Sequence, residues 1–76
     1  EGSSRITDLV IDLTQVRFID SSGLGMLLGR YKKVSDRGGK VIVFGLQPAV
    51  ERVLAMAGIT KIVEVAASRD AALAHY

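Results

Sequence analysis

The stretch Asp20-Ser21-Ser22-Gly23-Leu24-Gly25 follows the apolar run Leu9-Val10-Ile11-Asp12-Leu13 and opens an amphipathic segment that closes at Gly38-Gly39. How these pieces connect decides the fold. The run Leu9 to Leu13 is short and nearly continuously apolar, the pattern of a buried strand. Leu24, Leu27, Leu28, Tyr31 and Val34 recur at helical spacing, which defines one core stripe of a helix from about Ser22 to Asp36. Gly38-Gly39 stops that helix. The next run, Lys40-Val41-Ile42-Val43-Phe44-Gly45, is rich in β-branched residues and reads as a second strand. Strand, helix and strand with short connections imply a parallel pair joined by a right-handed crossover.

The same alternation continues outward. Pro48 suits the first position of a second helix, which is expected to bury Val50, Val53, Leu54 and Ala57 and to end at Gly58. Ile62-Val63-Glu64-Val65 reads as a third strand, and Ser68 as the cap of a third helix with Asp70 in its first turn. The expected order is β-α-β-α-β-α, an α/β domain with a small, mostly parallel sheet. Glu1 to Arg5 is polar and expected to fray. A sheet of so few strands has two open edges, so further strands are expected from an absent N-terminal part or from self-association.

Composition bounds the rest. The chain has 76 residues, 49% of them hydrophobic, with no apolar run long enough to span a bilayer. It reads as one domain, residues 1–76, N-terminally incomplete, with a modest core. With no cysteine there is no disulfide framework and no thiolate nucleophile. No segment is flanked like a signal peptide, which places the chain in the cytoplasm. A net charge of +2 is too small to imply a nucleic-acid partner unless the charges cluster.

The Asp20–Gly25 run puts hydroxyls and free backbone N–H groups at a helix N-terminus, just beyond the carboxyl end of a strand. Anions and ligands gather at such places in open α/β sheets. Asp20 or Ser21 is expected to cap the helix, and a good cap followed by a tight glycine turn is the bland alternative. Opposite the core stripe fall Ser22, Gly25, Met26, Gly29 and Lys33. Two glycines on an exposed helical face each cost about 0.5–1 kcal/mol relative to alanine, so the face is read as a flat docking surface, with Met26 as an adaptable apolar contact. Arg30, Lys32, Lys33, Arg37 and Lys40 cluster around the helix end, where they complement its dipole or steer an acidic partner. Tyr31, the aromatic among them, belongs to the core stripe, so nucleic acid is not favoured.

Enzyme and cofactor chemistry find little support. A serine hydrolase would use Ser21 as a nucleophile on a strand-to-helix turn, but no glycine stands two residues before it and the sole histidine, His75, is near the C-terminus. A nucleotide-binding module is the other alternative; the P-loop lysine is missing, and Gly23 and Gly25 do not complete GxGxxG. Asp8, Asp12 and Asp20 make a poor metal cluster, and no cofactor is expected.

Phe18-Ile19-Asp20-Ser21-Ser22-Gly23-Leu24-Gly25 followed by Leu28-Gly29-Arg30-Tyr31-Lys32 strongly resembles the STAS-domain anti-sigma factor antagonists of bacteria, most closely the sporulation AA type that opposes an anti-sigma F factor. The similarity continues through Gly38-Gly39, Lys40 to Phe44, Pro48-Ala49-Val50 and Ala57-Gly58-Ile59. The resemblance implies a STAS-like fold without its usual N-terminal strands and first helix. It also implies an anti-anti-sigma factor, a non-enzyme, whose unphosphorylated form binds an anti-sigma factor that is also a serine kinase and so frees the sigma factor. Ser21 is then the phosphorylated residue, and a serine phosphatase resets the switch. The partner would meet Asp20, Ser22, Gly23, Gly25, Met26, Gly29 and Lys33 around it, with no direct contact to nucleic acid or membrane.

Overall fold

The computed structural model describes residues 8–74, so the Glu1 to Arg5 segment and His75 lie outside the described residues. The elements follow the expected alternation: β1 (Leu9–Asp12), α1 (Ser21–Asp36), β2 (Val41–Phe44), α2 (Pro48–Met56), β3 (Glu64–Ala66) and α3 (Arg69–Leu73), with a single 3-10 turn at Ile59–Lys61. The strands form one three-stranded parallel sheet in the order β1-β2-β3. Leu9 pairs with Val41 and Asp12 with Phe44, while Ile42 pairs with Glu64 and Phe44 with Ala66.

Burial follows from that order. All four residues of the central strand β2 are buried, because both of its faces are covered. Val41 and Val43 join Leu13, Val50, Leu54, Ile59 and Val63 in the main core, against which Leu24, Leu27, Tyr31 and Val34 of α1 pack. Ile42 and Phe44 point the other way and meet Ala72 of α3, flanked by Val10 and Ala66. Removing a side chain such as Ile42 or Leu54 from water contributes about 1.5–3 kcal/mol.

Three expectations are corrected. Leu28 belongs to the helical stripe by spacing but is 44% exposed, because the core lies on the Leu27 and Tyr31 side of α1. Ala57 is exposed because α2 ends at Met56, leaving Ala57 as its C-cap. The third strand starts at Glu64 rather than Ile62. A 3-10 turn precedes it, and the N–H groups of Ile62 and Val63 both donate to the Ile59 carbonyl at 3.0 Å. Gly58 makes that turn possible with a φ of +78°. No residue of α1 is fully buried. The helix lies on the sheet along one side and leaves the other open.

Candidate functional site

Ser21 is the first residue of α1. Asp20 is its N-cap: the extended backbone there (φ −103°, ψ −173°) turns the carboxylate back so that Oδ1 accepts the Gly23 N–H at 3.0 Å. The Asp20 carbonyl accepts the Leu24 N–H at 3.0 Å and starts the helical ladder. The helix N-terminus therefore already carries a negative group of its own. This changes the sequence reading of an open anion site, since one of the first-turn donors is taken by Asp20. Ser21 and Ser22 are exposed.

The loop from Leu13 to Asp20 is fastened at its base. Leu13 N–H donates to the Phe44 carbonyl at 3.0 Å, and the Val16 N–H to the Leu13 carbonyl at 3.1 Å. The Asp12 carboxylate accepts both the Thr14 N–H (2.9 Å) and the Thr14 hydroxyl (2.6 Å), while Gln47 donates its amide to the Thr14 carbonyl at 3.0 Å. The hydroxyl and N–H of Thr14 hold Asp12 below the usual carboxylate range, against an opposing effect of desolvation, and Arg69 adds least to the lowering. Gly45 lies so close to this bend that a Cβ on it would stand 3.0 Å from Thr14 N and 3.1 Å from Thr14 Cα. The role of Thr14, Gly45 and Gln47 escaped the sequence reading. The Gly45 after an apolar strand was the one available signal.

The α1 face opposite the core stripe is open. Ser22, Gly25, Gly29 and Lys33 are exposed, Met26 is 63% exposed, and a Cβ at Gly25 or Gly29 would meet nothing within 4 Å. Gly23 differs: a Cβ there would come within 3.3 Å of Ile19 Cγ2, so its small size serves close packing of the loop on the first turn. The basic cluster is only partly as expected. Lys40 is drawn away to β3, where its Nζ lies 3.2 Å from Glu64, while Arg30, Lys32, Lys33 and Arg37 remain exposed along the second half of α1.

Beside this face runs an apolar groove of about 480 Å³, walled by β1 (Leu9, Ile11), the loop (Val16, Phe18, Ile19) and α1 (Met26). Phe18 on its rim is 73% exposed. Composition and periodicity gave no sign of the groove, because it depends on which side of α1 the sheet leaves bare.

Asp8, Asp12 and Asp20, which the sequence reading set aside as a metal cluster, each turn to a partner of their own. Asp8 accepts the Lys40 N–H at 2.9 Å, Asp12 is turned onto Thr14 and Asp20 onto Gly23, and no metal-holding group of His, Cys, Asp or Glu exists among the described residues. Among those residues, too, no helix is long and apolar enough to cross a membrane.

The family model of the STAS domain matches residues 1–72 of the chain. The chain belongs to the STAS-domain family. This STAS domain is 44% identical over 57 residues to the anti-sigma F factor antagonist of Paenibacillus polymyxa, a match covering 75% of the chain and 49% of that protein. It is 37% identical over 57 residues to the anti-sigma-B factor antagonist of Listeria monocytogenes, covering 75% of the chain and 50% of that protein. A solved structure of a candidate anti-sigma factor antagonist from Thermotoga maritima superposes with a TM-score of 0.86 at 28% identity, over 91% of this chain and 59% of that one. The STAS domain described here thus spans about half the length of the curated relatives it matches.

Proposed function

We propose that this STAS domain is the switch segment of an anti-anti-sigma factor. Its unphosphorylated form docks an anti-sigma factor that is also a serine kinase, and phosphorylation of Ser21 turns docking off. The observation that carries the reading is the placement of Ser21, exposed at the first helical position beside the Asp20 cap. The names of the relatives as anti-sigma factor antagonists support the partner class.

The chemistry follows from the surroundings of the hydroxyl. The neighbouring carboxylate of Asp20 is committed through Oδ1 to the Gly23 N–H, so it is poorly placed to act as a base on Ser21. Ser21 is therefore an acceptor, and the phosphoryl donor, the metal and the base come with the kinase. Transfer replaces the O–H bond of Ser21 with an O–P bond to the γ-phosphoryl group of ATP, releasing ADP and a proton.

A phosphoserine carries about 1.5–2 negative charges at neutral pH. At the helix N-terminus the dipole favours that charge, whereas Asp20 opposes it, so α1 is retained. The change falls on the surface. A bulky, hydrated dianion now stands at the edge of the flat face formed by Ser22, Gly25, Met26, Gly29 and Lys33, and docking is lost by charge repulsion and desolvation. A serine phosphatase restores the neutral hydroxyl.

Incubation with a cognate anti-sigma kinase and ATP, followed by mass spectrometry, tests the proposal. One phosphate mapped to Ser21, absent in Ser21→Ala, is expected. A phosphate on Ser22 or elsewhere, with Ser21 unmodified, overturns it.

A further inference from the structure

The positive charge of the chain is gathered in one place. Residues 30–37 hold four of its ten cations, Arg30, Lys32, Lys33 and Arg37, and one of its eight acids, Asp36, which is a net charge of +3 in a chain whose total is +2. All four cations are exposed, and none has an ion-pair partner among the described residues. Lys32 and Lys33 do not border the apolar groove, whose α1 wall is made by Gly23, Met26, Leu27 and Arg30, so their exposure belongs to the outer side of the helix.

The helix itself accounts for little of this charge. Its dipole favours a cation within the last turn, and Lys33 is the basic residue there. Lys32 and Arg30 stand before that turn, and Asp36, the final residue of α1, has the wrong sign for a helix C-terminus. Asp36 is four residues beyond Lys32 and three beyond Lys33, the weaker order for a helical pair, and it makes an ion pair with neither. The cations do not serve Ser21 either. At 1.5 Å per residue Lys32 and Lys33 lie about 16–18 Å from it along the helix, about two Debye lengths at physiological salt, so a phosphate there is screened from them.

Exposed like charges of this density repel one another in the free chain and are relieved when a negative surface covers them. An acidic protein surface fits them better than nucleic acid, because Tyr31, the aromatic residue among them, packs against the core and offers no face for a base to stack on. They share a helix with Ser21, so a protein that engages α1 along its length to reach Ser21 meets them too. We propose that the anti-sigma factor that phosphorylates Ser21 covers Lys32 and Lys33 with an acidic surface, about 16–18 Å from the point where it presents its γ-phosphoryl group, and that this charge contact speeds association. The inference rests on the reading of Ser21 as the acceptor and adds where its kinase carries negative charge.

Stopped-flow association of the chain with its cognate anti-sigma factor, in ADP and at low and high salt, tests it. Lys32→Glu/Lys33→Glu is expected to associate about tenfold or more slowly than the wild type at low salt, with the difference closing at high salt. Lys32→Gln/Lys33→Gln keeps good helix formers and only removes the charge, so a smaller slowing in the same direction is expected even if the glutamate variant frays the helix. Arg52→Glu/Lys61→Glu changes the net charge by the same amount at exposed positions on α2 and in the 3-10 turn, and is expected to slow association by less than about twofold. Association at the wild-type rate in both Lys32/Lys33 variants overturns the proposal, and so does equal slowing by the two glutamate variants, which traces to net charge alone. Binding of a single-stranded oligonucleotide by the wild type, lost in Lys32→Glu/Lys33→Glu, gives the cations to nucleic acid and overturns it as well. With a phosphate mapped to Ser21 in the same wild-type sample given ATP, each of these failures leaves the reading of Ser21 standing; a wild-type chain that takes no phosphate on Ser21 overturns that reading and this one with it.

Discussion

Alanine at Gly45 and alanine at Gly38 are the same chemical change in nearly the same backbone conformation, with φ of +75° and +81°. Each forces an L-residue into the left-handed region, at about 1–2 kcal/mol. Each also gains back about 0.4–1 kcal/mol by restricting the unfolded chain. The net loss common to both is about 0–1.6 kcal/mol by these two terms. Their surroundings separate them. The Cβ at Gly38 meets nothing within 4 Å, whereas at Gly45 it meets Thr14 N at 3.0 Å and Thr14 Cα at 3.1 Å, which are backbone atoms. Thr14 cannot move aside without giving up its bonds to Asp12 and Gln47. Overpacking of this kind adds about 1–3 kcal/mol.

Gly45→Ala is therefore expected to unfold at a clearly lower urea concentration than Gly38→Ala. With a slope of about 1 kcal/mol per molar for a chain this small, the midpoints differ by about 1 M or more. Backbone amide shifts in Gly45→Ala should change from Thr14 towards Ser21, while those in Gly38→Ala stay local to the end of α1. Coincident midpoints for the two variants would refute the idea that contact with Gly45 holds the base of the Ser21 loop.

Other consequences are open to measurement. Ser21→Ala is expected to bind the anti-sigma factor and resist release by ATP, and Ser21→Asp to bind at least about tenfold more weakly, a loss of about 1.4 kcal/mol; equal binding by both in calorimetry would contradict the switch. A Cβ at Gly29 meets no neighbour within 4 Å, so Gly29→Leu should raise helix stability by about 0.5–1 kcal/mol while abolishing partner docking, and unchanged affinity in a pull-down removes Gly29 from the interface. Asp12 has a lowered folded pKa, so its contribution to stability is present above the unfolded value of 3.8 and is lost as pH falls through the folded one. The difference in unfolding midpoint between the wild type and Asp12→Asn should hold at neutral pH and close in strong acid; a difference that persists there assigns the effect to something other than ionisation.

Where the sequence spoke for itself, one physical signal dominated. The spacing of Leu24, Leu27, Tyr31 and Val34, bounded by Asp20 and Gly38, located α1 to within a residue at its start. Four apolar residues in succession marked β2 as covered on both faces. Leu28 misled because the i+4 position from Leu24 sits at the margin of the stripe, and only the placement of the sheet decides which margin is wet. Ile62 misled because a β-branched residue is also at home in the turn that Gly58 begins. The Asp20 cap and the exposed Ser21 were legible, being local; the groove was not, since it joins β1, the loop and α1 through tertiary packing. Thr14, Gly45 and Gln47 come together across two connections, and no local pattern joins residues so far apart in the chain.

The central strand has a last consequence. Among the three strands, β2 alone is paired on both sides, and α1 touches the second half of the domain chiefly through it. The chain is thus two crossover units sharing one strand, with β1 and α1 on one side and α2 and β3 on the other. A disturbance at the start of α1, whether a phosphate or a docked protein, can loosen the first unit while the second keeps the β2–β3 ladder and the packing of α2 on β2. In hydrogen exchange such a molecule would open in stages, with the amides of β1 and α1 exchanging ahead of those of Ile42 and Val43. The domain would then answer a signal at one end without surrendering the whole fold.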